Sequence, residues 1–315
     1  MTPADWHGCY DDNWNDLIVD EAFAHPAKFA PGLIRRIYRH GFERGYWTEG
    51  DLIGDPFGGI GGGGIIGSGM GLRWFGVELE PKFHALAEKN FAKWKHIEPC
   101  PRIVQGDSRE FAKLVGECAA IVTSPPFAQQ VSGGGIAAAL QGESDYPTTI
   151  SKSAGSRNQG YQNQGTTPGQ IGNNKGDTYW QAMDAVYRQC YQSIKHGGVL
   201  ACVIKDYVKG GKRVPLCDDT WTLLQACGFE PIERCRAMLV KEQRHNGLFG
   251  EVVERKERKS FFRRLAEKKG SPPIDWEEVL WVRKRAASWW LNNRGVDTPI
   301  REALDMFAVR EGVSL

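Results

Sequence analysis

Apolar and polar positions along the chain change period several times, and each change marks an element. From Pro31 to His40, Leu33, Ile34, Ile37 and Tyr38 recur at i, i+1, i+4 and i+5, which predicts a helix with one buried face. Asp51-Leu-Ile-Gly-Asp55 is a short apolar run that leads directly into a glycine loop and a further helix. Strands are then predicted at Arg73–Glu78, Arg102–Val104 and Ala119–Thr123, with a helix from Lys82 to Trp94 between the first two. Beyond a helix at Thr178–Ile194, for which Gly197-Gly198 reads as the stop, come a strand at Val199–Ile204, a helix at Asp218–Cys227 and strands at Arg236–Val240 and Glu278–Arg283. Seven strands alternating with helices predict an α/β protein: a mostly parallel, Rossmann-like sheet with helices on both faces.

Two stretches break this rhythm. Between 128 and 177, Gly, Ser, Thr, Asn and Gln replace the apolar periodicity, which predicts a long mobile loop, either a gate over a ligand or a disordered insertion. Between 241 and 276, basic residues outnumber acidic ones, and this segment reads as a small basic, helical insertion. The expected organisation is therefore a catalytic domain over 1–240, the basic insertion over 241–276, and the last sheet strand with a helical tail over 277–315.

Composition adds exclusions. The chain of 315 residues is 41% hydrophobic and 25% charged, enough apolar material for a large core. No apolar run approaches the ~18 residues that span a bilayer, so no membrane partner is expected. The first residues lack the basic and apolar regions of a secretory signal. The eight cysteines are scattered without a Cys-x-x-Cys pair, which points away from zinc and towards a reducing cytoplasm. The net charge of +2 demands no polyanion by itself, yet it conceals an acidic lead-in (Asp11 to Asp16) and the basic run of Lys256, Arg258, Lys259, Arg263, Arg264, Lys268 and Lys269. That run reads as phosphate contacts or as a solvated face.

The candidate chemistry sits at strand ends. In Asp55-Pro-Phe-Gly-Gly-Ile-Gly61 an acid and a proline precede the glycines, unlike the dinucleotide pattern in which glycines lead to cradle pyrophosphate. An acid at a strand tip suits a cationic amine better than a phosphate. Glu78, ending the next strand, is placed to accept ribose hydroxyls, and Asp107, past the third strand, to accept an adenine amino group or to cap a helix. Ser124-Pro-Pro-Phe127 follows the fourth strand. Its two prolines remove backbone donors and leave the Ser hydroxyl and the carbonyls as fixed acceptors for an exocyclic amine, with Phe127 beside them for stacking. Such acceptors favour the amine more as it becomes tetrahedral and positive during attack on a methyl donor. A second Ser-Pro-Pro, at Ser271, is followed by Ile274 and lies away from this sheet edge.

In this order the motifs resemble those of the S-adenosylmethionine-dependent DNA amino-methyltransferases, of the N4-cytosine and N6-adenine type, over about residues 20 to 240 and the strand near Val279. The resemblance implies a class I methyltransferase sheet of seven strands and S-adenosyl-L-methionine as cofactor. It assigns Asp55, Phe57, Gly58, Gly59, Gly61, Glu78 and Asp107 to the cofactor, and Ser124, Pro125, Pro126 and Phe127 to catalysis on the target base. His25-Pro-Ala-Lys-Phe29 is similar to the motif that precedes the glycine loop in circularly ordered members, which places His25, Pro26, Lys28 and Phe29 near the methionine end of the cofactor. No metal is implied. Ser at the first position of the corner resembles the N4-cytosine pattern, with N6-adenine as the rival and a tRNA guanine-N2 methyltransferase as a further one. A C5-cytosine enzyme would need a Pro-Cys pair after the fourth strand, whereas Pro99-Cys100 precedes the third. The implied partner is double-stranded DNA with its target base flipped out. The resemblance also admits a restriction endonuclease partner and a homodimer, on which the residues themselves are silent.

Overall fold

The computed structural model describes residues 3–25, 28–126, 167–173, 176–209, 211–247, 250–259, 264, 267–268 and 270–285. All seven predicted strands form: β2 (Leu52–Asp55), β3 (Arg73–Glu78), β4 (Arg102–Gln105), β5 (Cys118–Thr123), β6 (Ile194–Ile204), β9 (Phe229–Met238) and β12 (Trp276–Lys284). An eighth, β1 (Ala4–Trp6), comes from the lead-in and pairs parallel with β9 at the sheet edge. The order is β1-β9-β12-β6-β5-β2-β3-β4, with only β12 antiparallel to its neighbours. This is the class I, Rossmann-like architecture expected from the sequence, widened by one short strand.

The central strands show why the sheet is buried on both faces. Along β6, Val199, Ala201 and Val203 enter one apolar cluster while Leu200, Cys202 and Ile204 enter the other. β12 divides in the same way, with Val279 and Trp281 against Leu280 and Val282. A strand of period two with helices on each side must be apolar at every position, and these are. The first face is covered by α1 (Pro31–Glu43), whose Leu33, Ile34, Ile37 and Tyr38 are buried as predicted, and by α2 (Gly62–Ser68) and α3 (Pro81–Lys93). The second face is covered by α4 (Phe111–Val115), α5 (Gly176–Ser193) and α6 (Leu216–Ala226), the last stopping before Gly228 at φ +99°.

Three expectations are corrected. Gly197 and Gly198 do not end a helix: α5 stops at Ser193, and both glycines lie within β6. The register slips there, Cys118 facing Ile194 while Ala120 faces Val199, and a Cβ on Gly198 would lie 2.3 Å from the carbonyl oxygen of Ala119. The glycine is required by close backbone approach at a bulge. The basic insertion is not helical over 240–257. It forms an antiparallel hairpin, β10 (Val240–Gly247) with β11 (Gly250–Glu257), because its charged residues lack a 3.6-residue apolar stripe while cross-strand pairs such as Glu242 with Arg255 bind across the ladder. A smaller hairpin, β7 (Tyr207–Lys209) with β8 (Lys212–Val214), follows β6. Finally, the sheet has eight strands rather than seven, because the lead-in supplies buried Trp6 to the core beside α1. Of the loop expected over 128–177, residues 128–166, 174 and 175 lie outside the described residues, as does the tail beyond 285; Ile171–Asn173 instead form a 3-10 turn and α5 already starts at Gly176.

All eight cysteines are free thiols, and no helix among the described residues is long and apolar enough to cross a membrane.

Candidate active site

From β2 the chain winds outward through β3 to β4, and from β5 it winds the other way to β6. Loops leaving the carboxyl ends of β2 and β5 therefore diverge, opening a crevice where ligands of such sheets bind. A cavity of about 460 Å³ occupies this edge. It is lined by His25, Lys28, Phe29, Asp55, Phe57, Gly58, Gly59, Glu78, Asp107, Ser124, Pro125 and Pro126. Residues from five separate stretches of sequence thus meet in one space. Gly61 is the exception: at φ +75° it starts α2, and a Cβ there would lie 2.5 Å from the Phe91 ring, so it serves packing rather than the cavity. Pro26 and Phe127 lie outside the described residues.

Asp55 sits at the tip of β2 and accepts the Phe57 N–H (3.0 Å) and the Thr123 hydroxyl (2.8 Å). The second bond ties this carboxylate to the strand that carries the Ser124 corner, and Thr123 gave no signal in the sequence beyond strand propensity. Burial lifts the Asp55 carboxyl to about 7, against the pull of these two donors and with nearby Glu78 adding to the rise. Glu78 accepts the N–H of Gly59 (2.9 Å) and of Glu80 (2.8 Å). Burial lifts it too, to about 7, while the two N–H groups oppose the shift. Two poorly solvated carboxyls facing one cavity are an unmet demand for positive charge and hydroxyl donors.

Around them the glycine loop and the His25 segment close together. Gly59 has φ +53°, so a side chain there would strain the loop, and its Cβ position meets His25 Nε2 at an ordinary contact distance of 3.5 Å. His25 packs edge-on to Phe83, with ring centroids 4.2 Å apart, and its Nδ1 is buried without a partner among the described residues. Burial, helped by Lys28 and Lys82, drives its pKa down to about 3, so the ring is neutral. Lys28 donates to the carbonyls of Phe23 and His25, and Trp14 Nε1 donates to that of Phe29 (2.7 Å); these three bonds tie the segment to itself and to the lead-in. Asp107 caps the turn Ser108–Glu110 and is gripped by the Arg109 guanidinium, which holds its carboxyl below the usual range despite partial burial. Of the two readings of Asp107 the cap is the one seen, and the residue also lines the cavity.

At the corner, Tyr179 from α5 donates to the Pro126 carbonyl (3.0 Å). That bond engages the Pro126 carbonyl, while Ser124 and Pro125 line the cavity beside it. Glu80, buried beside Glu78, accepts from the Thr167 backbone (3.2 Å), the Thr167 hydroxyl (2.8 Å) and Gln170 Nε2 (3.1 Å). It thereby anchors residues 167–171, of which Gly169, Gln170 and Ile171 line the cavity. Replacing Glu80 with Ala removes all three bonds, at a cost of about 1–3 kcal/mol. Limited proteolysis should then cut near residue 170 faster than in wild type; unchanged cleavage would refute the anchor.

Among the described residues one trio, His40, Glu233 and Cys235, brings ligand-type atoms within 4.8 Å of one another. Glu233 is already saturated by His40, Tyr46 and Arg44, and the Arg44 cation supplies the positive charge a metal would bring.

No family model and no curated protein matches the chain. Solved structures do resemble it in fold. TrmN from Thermus thermophilus is 13% identical at a TM-score of 0.45, over 84% of this chain and 52% of its own. An S-adenosylmethionine-dependent methyltransferase from Methanosarcina mazei is 11% identical at 0.43, over 78% and 97%. Precorrin-6y C5,15-methyltransferase from Geobacter metallireducens is 10% identical at 0.44, over 85% and 97%. This chain thus spans about half the length of TrmN, and identities of this size say nothing about what it acts on.

Proposed function

We propose that the protein is an S-adenosylmethionine-dependent methyltransferase acting on an exocyclic amine of a DNA base, the N4 of a flipped-out cytosine. The observation that carries this reading is the meeting, within one cavity, of the desolvated carboxyls of Asp55 and Glu78 with Ser124 and Pro125. The cofactor fits the first pair: it offers a sulfonium, an ammonium and two ribose hydroxyls, the charge and donors these carboxyls lack. Glu78 and Asp55 would hold it, with the Gly58–Gly59 backbone and neutral His25 alongside. When bound, it supplies an electrophilic methyl group.

The chain's own part is orientation. Ser124 Oγ and the Pro125 carbonyl accept the two N–H of the target amine, which turns its lone pair towards the cofactor side and favours the developing positive charge. Pro125 and Pro126 contribute rigidity, and Tyr179 fixes the Pro126 carbonyl so that the corner presents one geometry.

Basic residues support a nucleic-acid partner, with a narrower set than the sequence suggests. Lys259 is engaged by Glu257, Glu267 and Asp275, so it braces the β10–β11 hairpin instead of meeting phosphate. Lys241 and Lys256 stand opposite one another on the hairpin, and Lys256 is already paired with Glu254 at 3.5 Å. Exposed Val252 and Val253 extend the same hairpin. Arg264 and Lys268 are described, while Arg263 and Lys269 are not.

The test is direct. Unmethylated genomic DNA is incubated with protein and labelled cofactor, digested to nucleosides, and the modified base identified by mass spectrometry. N4-methylcytosine is expected. N6-methyladenine would transfer the reading to the adenine branch, and label found only in RNA would overturn DNA as substrate. In the same assay Ser124→Ala should lower turnover about 100-fold with cofactor affinity preserved; full activity would remove Ser124 from its role.

A further inference from the structure

The cavity extends beyond the Ser124 corner to a polar cluster that no motif announced. β5 and β6 are parallel neighbours with Thr123 facing Cys202, so Lys205 emerges from β6 just past the row of Ser124. β12 runs antiparallel beside β6 with Glu278 facing Ile204, which sets Glu277 beside Lys205. Lys205 Nζ donates to Glu277 Oε1 (2.9 Å) and Tyr10 Oη to Glu277 Oε2 (2.7 Å), while the Arg258 guanidinium lies 5.1 Å from the Tyr10 ring centre. Tyr10, Lys205, Arg258 and Glu277 all line the cavity that holds Asp55 and Ser124. Desolvation would raise the Glu277 carboxyl, yet Lys205, Tyr10 and Arg258 hold it below the usual range, so this carboxyl stays ionised.

Each carboxylate oxygen of Glu277 is taken by one donor, and one of the three N–H of Lys205 is spent on it. The other two have no further partner among the described residues. The cavity therefore offers acceptors at the Ser124–Pro125 end and donors at Lys205. A cytosine edge carries the complement in sequence: the N4 amine as donor, then N3 and O2 as acceptors. On its Watson–Crick edge adenine has only N1 beside its amine, with a C–H where cytosine has O2, and guanine places the N1–H donor next to its amine, against the lysine.

We propose that Lys205, positioned by Glu277 and Tyr10, reads the N3/O2 edge of the target cytosine and so sets base specificity. The proposal rests on the reading of the corner as an amine site, and nucleoside binding tests it apart from DNA methylation. Protein saturated with S-adenosylhomocysteine is titrated with 2′-deoxycytidine and 2′-deoxyadenosine and followed by NMR. Wild type should prefer deoxycytidine by about tenfold, the size of a charged hydrogen bond. Lys205→Met should abolish the preference while S-adenosylhomocysteine affinity stays within about twofold, and Glu277→Gln should reduce it. If Lys205→Met no longer binds S-adenosylhomocysteine and so has lost its fold, Tyr10→Phe serves in its place and must weaken deoxycytidine without weakening deoxyadenosine. Absence of a deoxycytidine preference in wild type, or its survival in Lys205→Met, overturns the proposal. Failure to modify any base in DNA would instead overturn the function proposed above, whatever the nucleosides do.

Discussion

Asp55→Asn is expected to fold normally and to bind S-adenosylmethionine about 100-fold more weakly than wild type, with methyl transfer falling at least as far. An Asn side chain keeps an oxygen for the Thr123 hydroxyl and the Phe57 N–H, so the tie between the β2 tip and the strand bearing Ser124 survives. What it loses is the negative charge in a site where burial has already stripped away water. Asp55→Ala goes further, leaving two buried donors unsatisfied, and should lower the melting temperature as well. Calorimetric titration with the cofactor and a thermal melt of both variants separate these effects. Wild-type affinity in Asp55→Asn would show that the carboxylate is a structural acceptor only, and the cofactor would have to be held elsewhere.

How far this arrangement could be foreseen depends on the range of the interaction. Strands β2, β3, β5 and β6 were legible because a sheet covered on both faces demands uninterrupted apolar runs, and acids at their ends stand out against those runs. Gly197-Gly198 was misread because a helix stop and a bulge use the same residue for different reasons, and only the Ala119 carbonyl 2.3 Å from the Gly198 Cβ position distinguishes them. The β10–β11 segment looked helical since charge runs suit a solvated helix; cross-strand pairing of Glu242 with Arg255 is invisible until the register is known. The Lys205–Glu277–Tyr10 cluster joins residues 72 and 267 positions apart, so no local pattern could expose it. Glu80 carries no local signal either, because its grip on Thr167 and Gln170 again spans about 90 residues.

Cofactor binding is expected to stabilise the protein progressively more as pH rises from about 5.5 to 8. In the free protein Asp55 and Glu78 titrate near 7, above the ordinary 3.8 and 4.5 of such groups. A carboxyl raised on folding binds more protons in the native state than in the unfolded chain. Its contribution to stability is therefore complete below about pH 4 and is lost as pH climbs through 7, at up to about 1.4 kcal/mol per pH unit for each group. A cationic ligand reverses the balance, because it binds the ionised pair and offsets the desolvation that raised them. The cofactor-induced rise in melting temperature should thus be small at pH 5.5, where both carboxyls are protonated, and large at pH 8. Taking the difference between bound and free melts cancels titration elsewhere in the chain. The double variant Asp55→Asn, Glu78→Gln should flatten the profile. A wild-type shift independent of pH would mean that these two carboxyls do not face the cofactor's charge, and would detach the cavity's electrostatics from methyl transfer.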